Sequence, residues 1–374
     1  MFCRKMNQPF FSFVVPCCDV EPYIRECLAS LTGQSFRDWE CLIGFEPSKD
    51  RTEEVVAELT AGDDRFRFFH GPRSGSCSAS RNTGIDMARG EYVIFLDGDD
   101  SIETESLARI AAGIAARPGA DLYPCAIKAY RQDTGETEIR DNYSERSPAE
   151  MTGNEAALEI DRLWSGPFCP MLQLTVFRRE FLIEHDLKCV YGLRRQDSEF
   201  SPRALYYAKR VVPLHEVFYL YRIHGNSVST ASKDPGRFLK DWAIITRSLL
   251  AFHATVSREP DFDVRVASCW MRQWIPRLFA AWFYPFSLDH VARSRRLETL
   301  QMLFAEGFDD FDAIMKYANR SKRIAGWWLL AFVRHAALRW PAELFFRVYY
   351  RVSGMRSRKK ADFRVQIAPS EAKK

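Results

Sequence analysis

The 374-residue sequence lacks features that would place it in several other protein classes. Ten cysteines are present, but none form a Cys-x-x-Cys pair, so the usual spacing of a zinc site is missing. No apolar run reaches the roughly 18–20 residues that a membrane-spanning helix needs. The chain also has no internal repeat and no low-complexity tract. A net charge of only +4 does not indicate a nucleic-acid-binding protein, because such domains are more basic and their charge is clustered.

The composition is that of a globular protein with a buried core. Hydrophobic residues make up 47% of the chain and charged residues 27%, which excludes disorder over most of its length. The first apolar stretch, residues 10–18, is interrupted by Ser12 and Pro16. A signal peptide would need a cleaner apolar core and a small-residue cleavage site, so we predict a buried first strand instead. The scattered cysteines favour a reduced, cytoplasmic setting.

Strand and helix patterns alternate over the first hundred residues. Apolar runs without alternation predict strands, and apolar residues three or four apart predict helices. Continuous apolar strands between helices indicate a mainly parallel sheet that is covered on both faces, with ligands bound beyond the carboxyl ends of its strands. The predicted strands span residues 10–15, 40–45, 65–70 and 91–96, and the predicted helices span residues 21–34, 52–59 and 78–87.

The pattern changes twice further along the chain. We predict a helix over residues 101–116 that is capped by Ser101, a strand over residues 121–130, and a polar loop or hairpin over residues 131–150. After Asp234-Pro235-Gly236 the periodicity is helical and Trp and Phe are frequent. The sequence therefore predicts an α/β domain over residues 1–235 and an α-helical domain over residues 236–374.

Three aspartates directly follow the apolar strand that ends in Phe95-Leu96. Crowding Asp97, Asp99 and Asp100 at one strand end is electrostatically costly unless a cation or hydrogen-bond donors compensate. Hard divalent cations take oxygen ligands, and Mg²⁺ is commonly bound by one or two carboxylates together with substrate phosphates. The cluster therefore suits a metal–diphosphate site, although taken alone it could be a polar turn with an Asp helix cap.

The aspartates belong to a longer series of motifs. The motifs are Val14-Val15-Pro16-Cys17-Cys18-Asp19-Val20-Glu21-Pro22-Tyr23-Ile24, Gln34-Ser35-Phe36-Arg37-Asp38-Trp39-Glu40, Glu46-Pro47-Ser48-Lys49-Asp50-Arg51-Thr52, Ser78-Ala79-Ser80-Arg81-Asn82-Thr83-Gly84 and Ala88-Arg89-Gly90-Glu91-Tyr92-Val93-Ile94-Phe95-Leu96-Asp97-Gly98-Asp99-Asp100. In its order and spacing this series resembles the family 2 glycosyltransferases, which have the GT-A fold, from about residue 10 to about residue 230.

The resemblance implies a nucleotide-sugar site at the ends of the first strands. Pro16 would line the nucleobase pocket, and Glu46 would accept a hydrogen bond from the base. Phe45 stands where the family has the other member of an acidic pair. Arg81 would reach the nucleotide, the alternative being a surface ion pair with a nearby acid.

The aspartate turn matches the Asp-x-Asp motif of the family. The resemblance implies that Asp97, Gly98 and Asp99 contact the donor and a divalent cation, Mg²⁺ or Mn²⁺. Asp99 would be the direct metal ligand, and Asp97 would lie nearer the ribose or uracil while also serving the metal.

A second cluster, Arg194-Arg195-Gln196-Asp197-Ser198-Glu199, lies at the place where the family has Glu-Asp before a helix. Gln196 replaces the glutamate, while Asp197 is kept. An inverting transfer needs one carboxylate that takes the proton of the attacking hydroxyl, and Asp197 would be this general base. Asp197 could instead, or in addition, cap the helix. Glu199 is the alternative base.

The segment from Tyr219 to Ser229 is similar to the Tyr-Arg-x-His…Ser segment of many family members. There, Arg222 or His224 would contact the diphosphate as charge develops on the leaving group. A structural role for His224 is equally compatible with the sequence.

The C-terminal region is basic and aromatic. Between residues 321 and 360, ten Lys and Arg side chains stand against the single acid Glu343, with bulky aromatic residues between them. This pattern suits contact with an anionic membrane surface. The alternative is a core-facing helix with a solvated basic face.

The family resemblance, together with these patterns, implies an inverting, metal-dependent glycosyltransferase. It would move a sugar from a nucleotide sugar, expected to be a UDP-sugar, to a hydroxyl of a growing or lipid-linked glycan in surface polysaccharide biosynthesis. The expected location is the cytoplasm, with peripheral contact at the inner face of the cell membrane. A non-catalytic nucleotide-sugar-binding subunit is the main alternative. A nucleotidyltransferase fits less well, because Pro16-Cys17-Cys18-Asp19 offers no Gly-rich basic loop after the first strand.

Overall fold

The computed structural model describes residues 8–163, 172–225, 235–260, 262–266, 297, 320–339, 341–342 and 344–346. The chain divides into two compact units. The first comprises Met1–Leu163 with Cys169–Ser227, and the second comprises Trp164–Phe168 with Val228–Lys374. The predicted basic segment beyond residue 346 lies outside the described residues, as do Ser227 to Asp234.

The first unit is built from short strands and helices that alternate along the chain. In the described ranges its strands are β1 (Phe11–Cys17), β2 (Trp39–Phe45), β3 (Phe66–His70), β4 (Tyr92–Phe95), β5 (Ser101–Ile102), β6 (Leu122–Pro124), β7 (Ala126–Arg131), β8 (Thr137–Arg140), β9 (Thr175–Arg178) and β10 (Val217–Ile223). Its helices are α1 (Glu21–Thr32), α2 (Thr52–Thr60), α3 (Ser78–Met87), α4 (Ser106–Ala116), α5 (Gly153–Leu163), α6 (Arg179–Glu184) and α7 (Gln196–Tyr207).

The main sheet has six strands in the order β3-β2-β1-β4-β9-β6. The pairs β1–β2, β2–β3 and β1–β4 are parallel, whereas β9 pairs antiparallel with both β4 and β6. Every residue of β1 and β2 is buried, which is the burial expected of parallel strands covered on both faces. The predicted α/β architecture with a mainly parallel sheet is therefore confirmed.

A second, four-stranded sheet has the order β5-β10-β7-β8. Its strand β5 overturns the prediction of a helix that starts at Ser101. Ser101 and Ile102 pair antiparallel with Leu220 and Tyr219 of β10, and α4 begins only at Ser106. A partner strand more than a hundred residues away decides this segment, and local periodicity does not report such a partner.

The segment predicted as one strand, residues 121–130, is two strands in two sheets. β6 pairs with β9 in the main sheet, and β7 pairs with β10 and β8 in the second sheet, with Cys125 between them. The predicted loop or hairpin over residues 131–150 contains β8, which forms a hairpin with β7.

Helix α3 approaches β1 closely because it carries a glycine at the contact. A Cβ on Gly84 would overlap the side chain of Val14, whose Cγ2 would lie only 2.8 Å away. Both residues are buried. This close packing fixes α3, and with it Arg81, relative to the strand ends.

In the second unit the described helices are α8 (Pro235–Val256) and α9 (Arg320–Arg334), followed by a short 3-10 turn at Ala336–Leu338. Ala325, Leu329 and Phe332 are buried on one face of α9. None of the helices in the described ranges has both the length and the apolar content that a membrane crossing requires.

Candidate active site

The three aspartates lie at the carboxyl end of β4, beside the end of β1. One carboxylate oxygen from each of Asp97, Asp99 and Asp100 lies within 4.8 Å of the others. Gly98 lets the turn rest against β1, because a Cβ there would lie 3.2 Å from the carbonyl oxygen of Pro16. The parallel pairing of β1 and β4 thus brings Pro16 and the aspartate turn together, as the sequence predicts for neighbouring strand ends.

Asp97 is held through both of its carboxylate oxygens. Oδ1 accepts from Nη2 of Arg81 at 2.5 Å, and Oδ2 accepts from Nε2 of Gln173 at 2.7 Å. Its backbone N–H donates to the hydroxyl of Tyr219 at 3.1 Å. Arg81 is only 5% exposed, so the alternative of a surface ion pair for this arginine is wrong.

Asp100 is buried and anchors the turn. Its two oxygens accept from the hydroxyl of Tyr219 at 2.6 Å and from the backbone N–H of Arg222 at 2.7 Å. Burial, together with the neighbouring charges of Asp99 and Asp97, raises the pKa of the Asp100 carboxyl well above its ordinary value. This residue therefore joins β10 to the turn and is the least accessible of the three acids.

Asp99 has the most exposed side chain of the three acids. Its side chain is 28% exposed against 22% for Asp97, and Asp100 is buried. Its Oδ2 lies 3.1 Å from Nε2 of His224, whose Nδ1 lies 3.0 Å from the hydroxyl of Tyr23. His224 is thus oriented from one side by α1 and reaches the aspartate turn on the other.

This donor set fits a divalent cation. Three carboxylates in one small region offer the oxygen ligands that Mg²⁺ and Mn²⁺ take. Asp100 directs both oxygens to protein donors, and Asp97 does the same. Asp99 is therefore the best placed of the three for direct contact with a metal.

Arg222 lies behind the turn, at the end of β10. Its Nε donates to the carbonyl oxygen of Asp99 at 3.0 Å, and its Nη2 pairs with Glu26 at 2.6 Å. The guanidinium also lies over the rings of Tyr130 and Tyr23. These contacts orient Arg222, which is only 7% exposed, directly beside the predicted metal ligand.

Glu46 follows β2 and is tied to a neighbouring loop. Its carboxylate accepts from the backbone N–H of Ser74 at 3.0 Å and from the Ser74 hydroxyl at 2.9 Å. Phe45 is buried, and its ring stacks on that of Phe68, which is exposed on β3. Position 45 therefore contributes to packing, and Glu46 is the acid at this strand end.

Asp197 lies in the first turn of α7, beside the buried Gln196. The residue that precedes the helix is Arg195, and no side chain caps it. Asp197 therefore lies inside the first turn and not at the cap position that the sequence left open for it, and its Oδ1 accepts from the adjacent N–H of Ser198 at 2.8 Å. The alternative base, Glu199, is fully buried and pairs with Arg203 at 2.7 Å, which leaves Asp197 as the accessible acid of this turn.

A hydrogen bond connects α7 to the aspartate turn. Gln196 Oε1 accepts from Nη1 of Arg81 at 3.2 Å, and Arg81 in turn holds Asp97. Asp97, Arg81 and the start of α7 are thereby brought together, although 115 residues separate Gln196 from Arg81.

Three residues at the site carry no role in the sequence prediction, namely Gln173, Tyr219 and Tyr23. Tyr219 and Tyr23 stand inside the recognised motifs, so their positions could have suggested a role. Gln173 belongs to a short 3-10 turn before β9, and no local pattern marks it.

Comparisons with known proteins agree with this architecture. The model of the family described as glycosyl transferase family 2 matches residues 12–185. The uncharacterized glycosyltransferase EpsJ of Bacillus subtilis (strain 168) is 30% identical over 228 residues, which are 61% of this chain and 65% of EpsJ. A Campylobacter jejuni protein named GalNAc(5)-diNAcBac-PP-undecaprenol beta-1,3-glucosyltransferase is 32% identical over 108 residues, which are 27% of this chain and 33% of that protein.

A solved structure is similar over nearly the whole chain. The crystal structure of S. aureus TarS 1–349 in complex with UDP-GlcNAc has a TM-score of 0.64 and 20% sequence identity, and the match covers 92% of each chain. At this identity the likeness concerns the fold. Together, the matched family model, the curated relatives and the shared fold show that residues 12–185 form a GT-A domain of the family 2 glycosyltransferases.

Proposed function

We propose that this protein transfers a sugar from a nucleotide sugar to a hydroxyl of a growing glycan, with inversion at the anomeric carbon. The observation that carries the proposal is the connection between an acid of the residues matched to family 2 and an acid on helix α7, which follows them. Asp97, in the aspartate turn, and Asp197, on α7, belong to segments joined by the Gln196–Arg81 hydrogen bond. Such a site can hold a donor diphosphate on one side and deprotonate an acceptor on the other.

The donor would be bound at the ends of β1, β2 and β4. Pro16 and Glu46 would contact the nucleobase, Arg81, Asp97 and Gly98 the rest of the nucleotide, and Arg222 and His224 the diphosphate. TarS, which has the same fold, is described in complex with UDP-GlcNAc, so this UDP-sugar is the first donor to test.

In the proposed reaction Asp197 acts as the general base. The acceptor oxygen attacks the anomeric carbon, its proton passes to the Asp197 carboxylate, and the bond from the anomeric carbon to the diphosphate oxygen breaks. The nucleoside diphosphate leaves with the electron pair of that bond. A divalent cation held by Asp99, with Asp97 beside it, would neutralise the charge of the diphosphate when bound.

The proposed acceptor is a glycan, free or lipid-linked, and the proposed setting is the cytoplasmic face of a membrane. One relative's name specifies an undecaprenol-linked acceptor. Helix α9 offers a surface for such a setting, because Ile324 and Trp327 are exposed on it and Arg320, Arg323 and Arg334 are exposed beside them. Basic residues beside exposed aromatic ones favour the surface of an anionic bilayer.

Release of nucleotide from a donor panel tests the function. Purified protein with Mn²⁺ is incubated with UDP-, GDP- and dTDP-sugars, beside the variants Asp99→Ala and Asp133→Ala. We expect release from one donor, and a fall of about 100-fold in the Asp99 variant. Asp133 is exposed in the β7–β8 turn, so its variant is the matched control and should behave as the wild type.

If no donor in the panel releases nucleotide, nucleotide binding is measured next, since a transferase can require its acceptor before it turns over. UDP with Mn²⁺ should then raise the melting temperature of the wild type but not that of the Asp99 variant, because a ligand that binds only the native state stabilises it. Absence of both release and metal-dependent stabilisation would overturn the proposed function.

A further inference from the structure

A series of hydrogen-bonded polar side chains, buried except for Asp97, runs from α7 through the turn after β4 to the 3-10 turn before β9. It consists of Gln196, Arg81, Asp97 and Gln173, which come from α7, α3, the aspartate turn and the 3-10 turn before β9. From this series we infer that Gln196 is a positioning residue, which sets the neighbouring Asp197 relative to the donor site through Arg81. The inference rests on the proposed function, in which Asp197 is the base.

Burial makes the Gln196 contact costly to lose. Gln196 is 2% exposed and Arg81 is 5% exposed, so water cannot readily replace either partner. Burial opposes the charge of Arg81, yet the Asp97 carboxylate holds the pKa of the guanidinium above its ordinary value, and the side chain stays cationic. A buried cation that loses one acceptor carries the full cost of an unmade hydrogen bond.

Among the described residues, the Arg81 side chain donates hydrogen bonds to Asp97 and Gln196. Its Nε has no hydrogen-bond partner among the described residues, and its two terminal nitrogens are the ones that bond Asp97 and Gln196. The Gln196 oxygen is therefore the contact through which the guanidinium holds the first turn of α7. Loss of that oxygen would release the turn that carries Asp197 while leaving the Arg81–Asp97 pair in place.

The two ends of this series of hydrogen bonds hold different residues in position. On one side, Gln173 and Arg81 each donate to one oxygen of Asp97, so the donor-side carboxylate keeps two supports without Gln196. On the other side, the Gln196–Arg81 bond links the position next to Asp197 to that carboxylate. The inference therefore predicts a loss in the chemical step and little change in donor binding when Gln196 loses its acceptor atom.

Two substitutions of Gln196 by side chains of the same length distinguish the effect of its hydrogen bond from the effect of its packing. Gln196→Met keeps the size of the side chain but has no acceptor oxygen, whereas Gln196→Glu keeps an oxygen at the same reach. We expect Gln196→Met to lower kcat for nucleotide release about 10- to 100-fold, since small misplacements of a catalytic group have effects of this size. The donor KM should stay within about twofold, and Gln196→Glu should restore kcat to within about threefold.

A matched control comes from a buried glutamine outside the site. Gln34 is 1% exposed and donates to the carbonyl oxygens of Ser30 and Glu103, so Gln34→Met also breaks buried hydrogen bonds. This variant should melt earlier but keep its kcat. A Gln196→Met enzyme with unchanged kcat, or with its loss wholly in KM, would overturn the inference.

Amide hydrogen exchange tests the coupling without any turnover. The peptide that covers residues 194–201 should exchange about tenfold faster in Gln196→Met than in the wild type and Gln34→Met, because the first turn of α7 loses its tether. Equal exchange in all three proteins would refute the coupling. A wild type that shows neither nucleotide release nor metal-dependent stabilisation by UDP counts against the proposed function instead, so failures of the two ideas can be told apart.

Discussion

At the scale of single residues, three aspartates that stand within four positions have different surroundings. Asp100 is buried and bonded to Tyr219 and to the Arg222 backbone. Asp97 is supported through both oxygens by Arg81 and Gln173. The different neighbours explain why Asp99 is the acid best placed to meet a cation, a distinction that no property of the aspartate side chain itself contains.

The assignment of Asp197 as the general base predicts the effect of one conservative substitution. Asp197→Asn keeps the size of the side chain but removes the proton acceptor, so turnover should fall about 10²- to 10⁴-fold, the usual contribution of general base catalysis. Nucleotide binding should persist, because Asp197 contacts the acceptor in the proposed reaction. Nucleotide release and a Mn²⁺-dependent thermal shift with UDP measure the two quantities on the same protein.

Asp133→Asn provides the same chemical change at an exposed position of the β7–β8 turn and should alter neither quantity. Full activity of the Asp197 variant would show that another group takes the proton. Tight nucleotide binding by a wild type that turns over no donor and no acceptor would favour the alternative of a non-catalytic binding subunit.

At the scale of elements, local patterns predicted the strands and helices that are held by their own hydrophobic faces. The helix predicted over residues 78–87 has the observed bounds of α3, and β1 differs from its prediction by one residue at its start and two at its end. The predictions that failed, at residues 101–102 and 121–130, concern short segments whose structure is set by pairing with β10 and β9. Sequence periodicity cannot report a partner strand that is distant along the chain.

The contact of α3 with β1 can be tested through its glycine. Gly84→Ala places a methyl group against Val14, and overpacking of this kind costs about 1–3 kcal/mol of unfolding free energy. Urea denaturation should therefore show a lower midpoint. Because α3 carries Arg81, donor binding should weaken as well.

Gly71→Ala is the matched control, since a Cβ at this position would meet no atom within 4 Å. Its unfolding free energy should stay within about 0.5 kcal/mol of the wild-type value, as is usual for open surface positions. Equal stability of the Gly84 variant would contradict the close packing of α3 on β1.

At the scale of the whole molecule, the chain combines a GT-A unit with a second unit that contains helices α8 and α9. We propose residues 1–235 as the catalytic domain and residues 236–374 as the helical one. All residues of the candidate site belong to the first unit. The second unit presents Trp327 at 56% exposure and Ile324 at 47%, one helical turn apart on α9.

Vesicle sedimentation tests the membrane proposal for the full chain. The protein should bind phosphatidylglycerol vesicles at low salt, bind neutral phosphatidylcholine vesicles weakly, and detach as salt screens the basic residues. Replacing Ile324 and Trp327 by serine should lower the vesicle affinity about tenfold, since both side chains would otherwise bury apolar area.

Ile139→Ser is the control for this measurement, because Ile139 is an exposed apolar residue, at 62%, on strand β8 of the first unit. It should leave vesicle binding unchanged. Equal binding to neutral and anionic vesicles, or no effect of the double replacement, would contradict the proposed surface.

The sequence by itself determined the family of the first domain, the alternation of its strands and helices, and the turn in which the acids stand. These properties depend on residues close together along the chain, where hydrophobic periodicity and motif spacing are visible. Tertiary structure decided which acid is buried, that Gln173 supports Asp97 and that Gln196 bonds Arg81. Gln173 lies 76 positions after Asp97, and Gln196 lies 115 positions after Arg81, so only packing of the sheet and helices could bring them into contact.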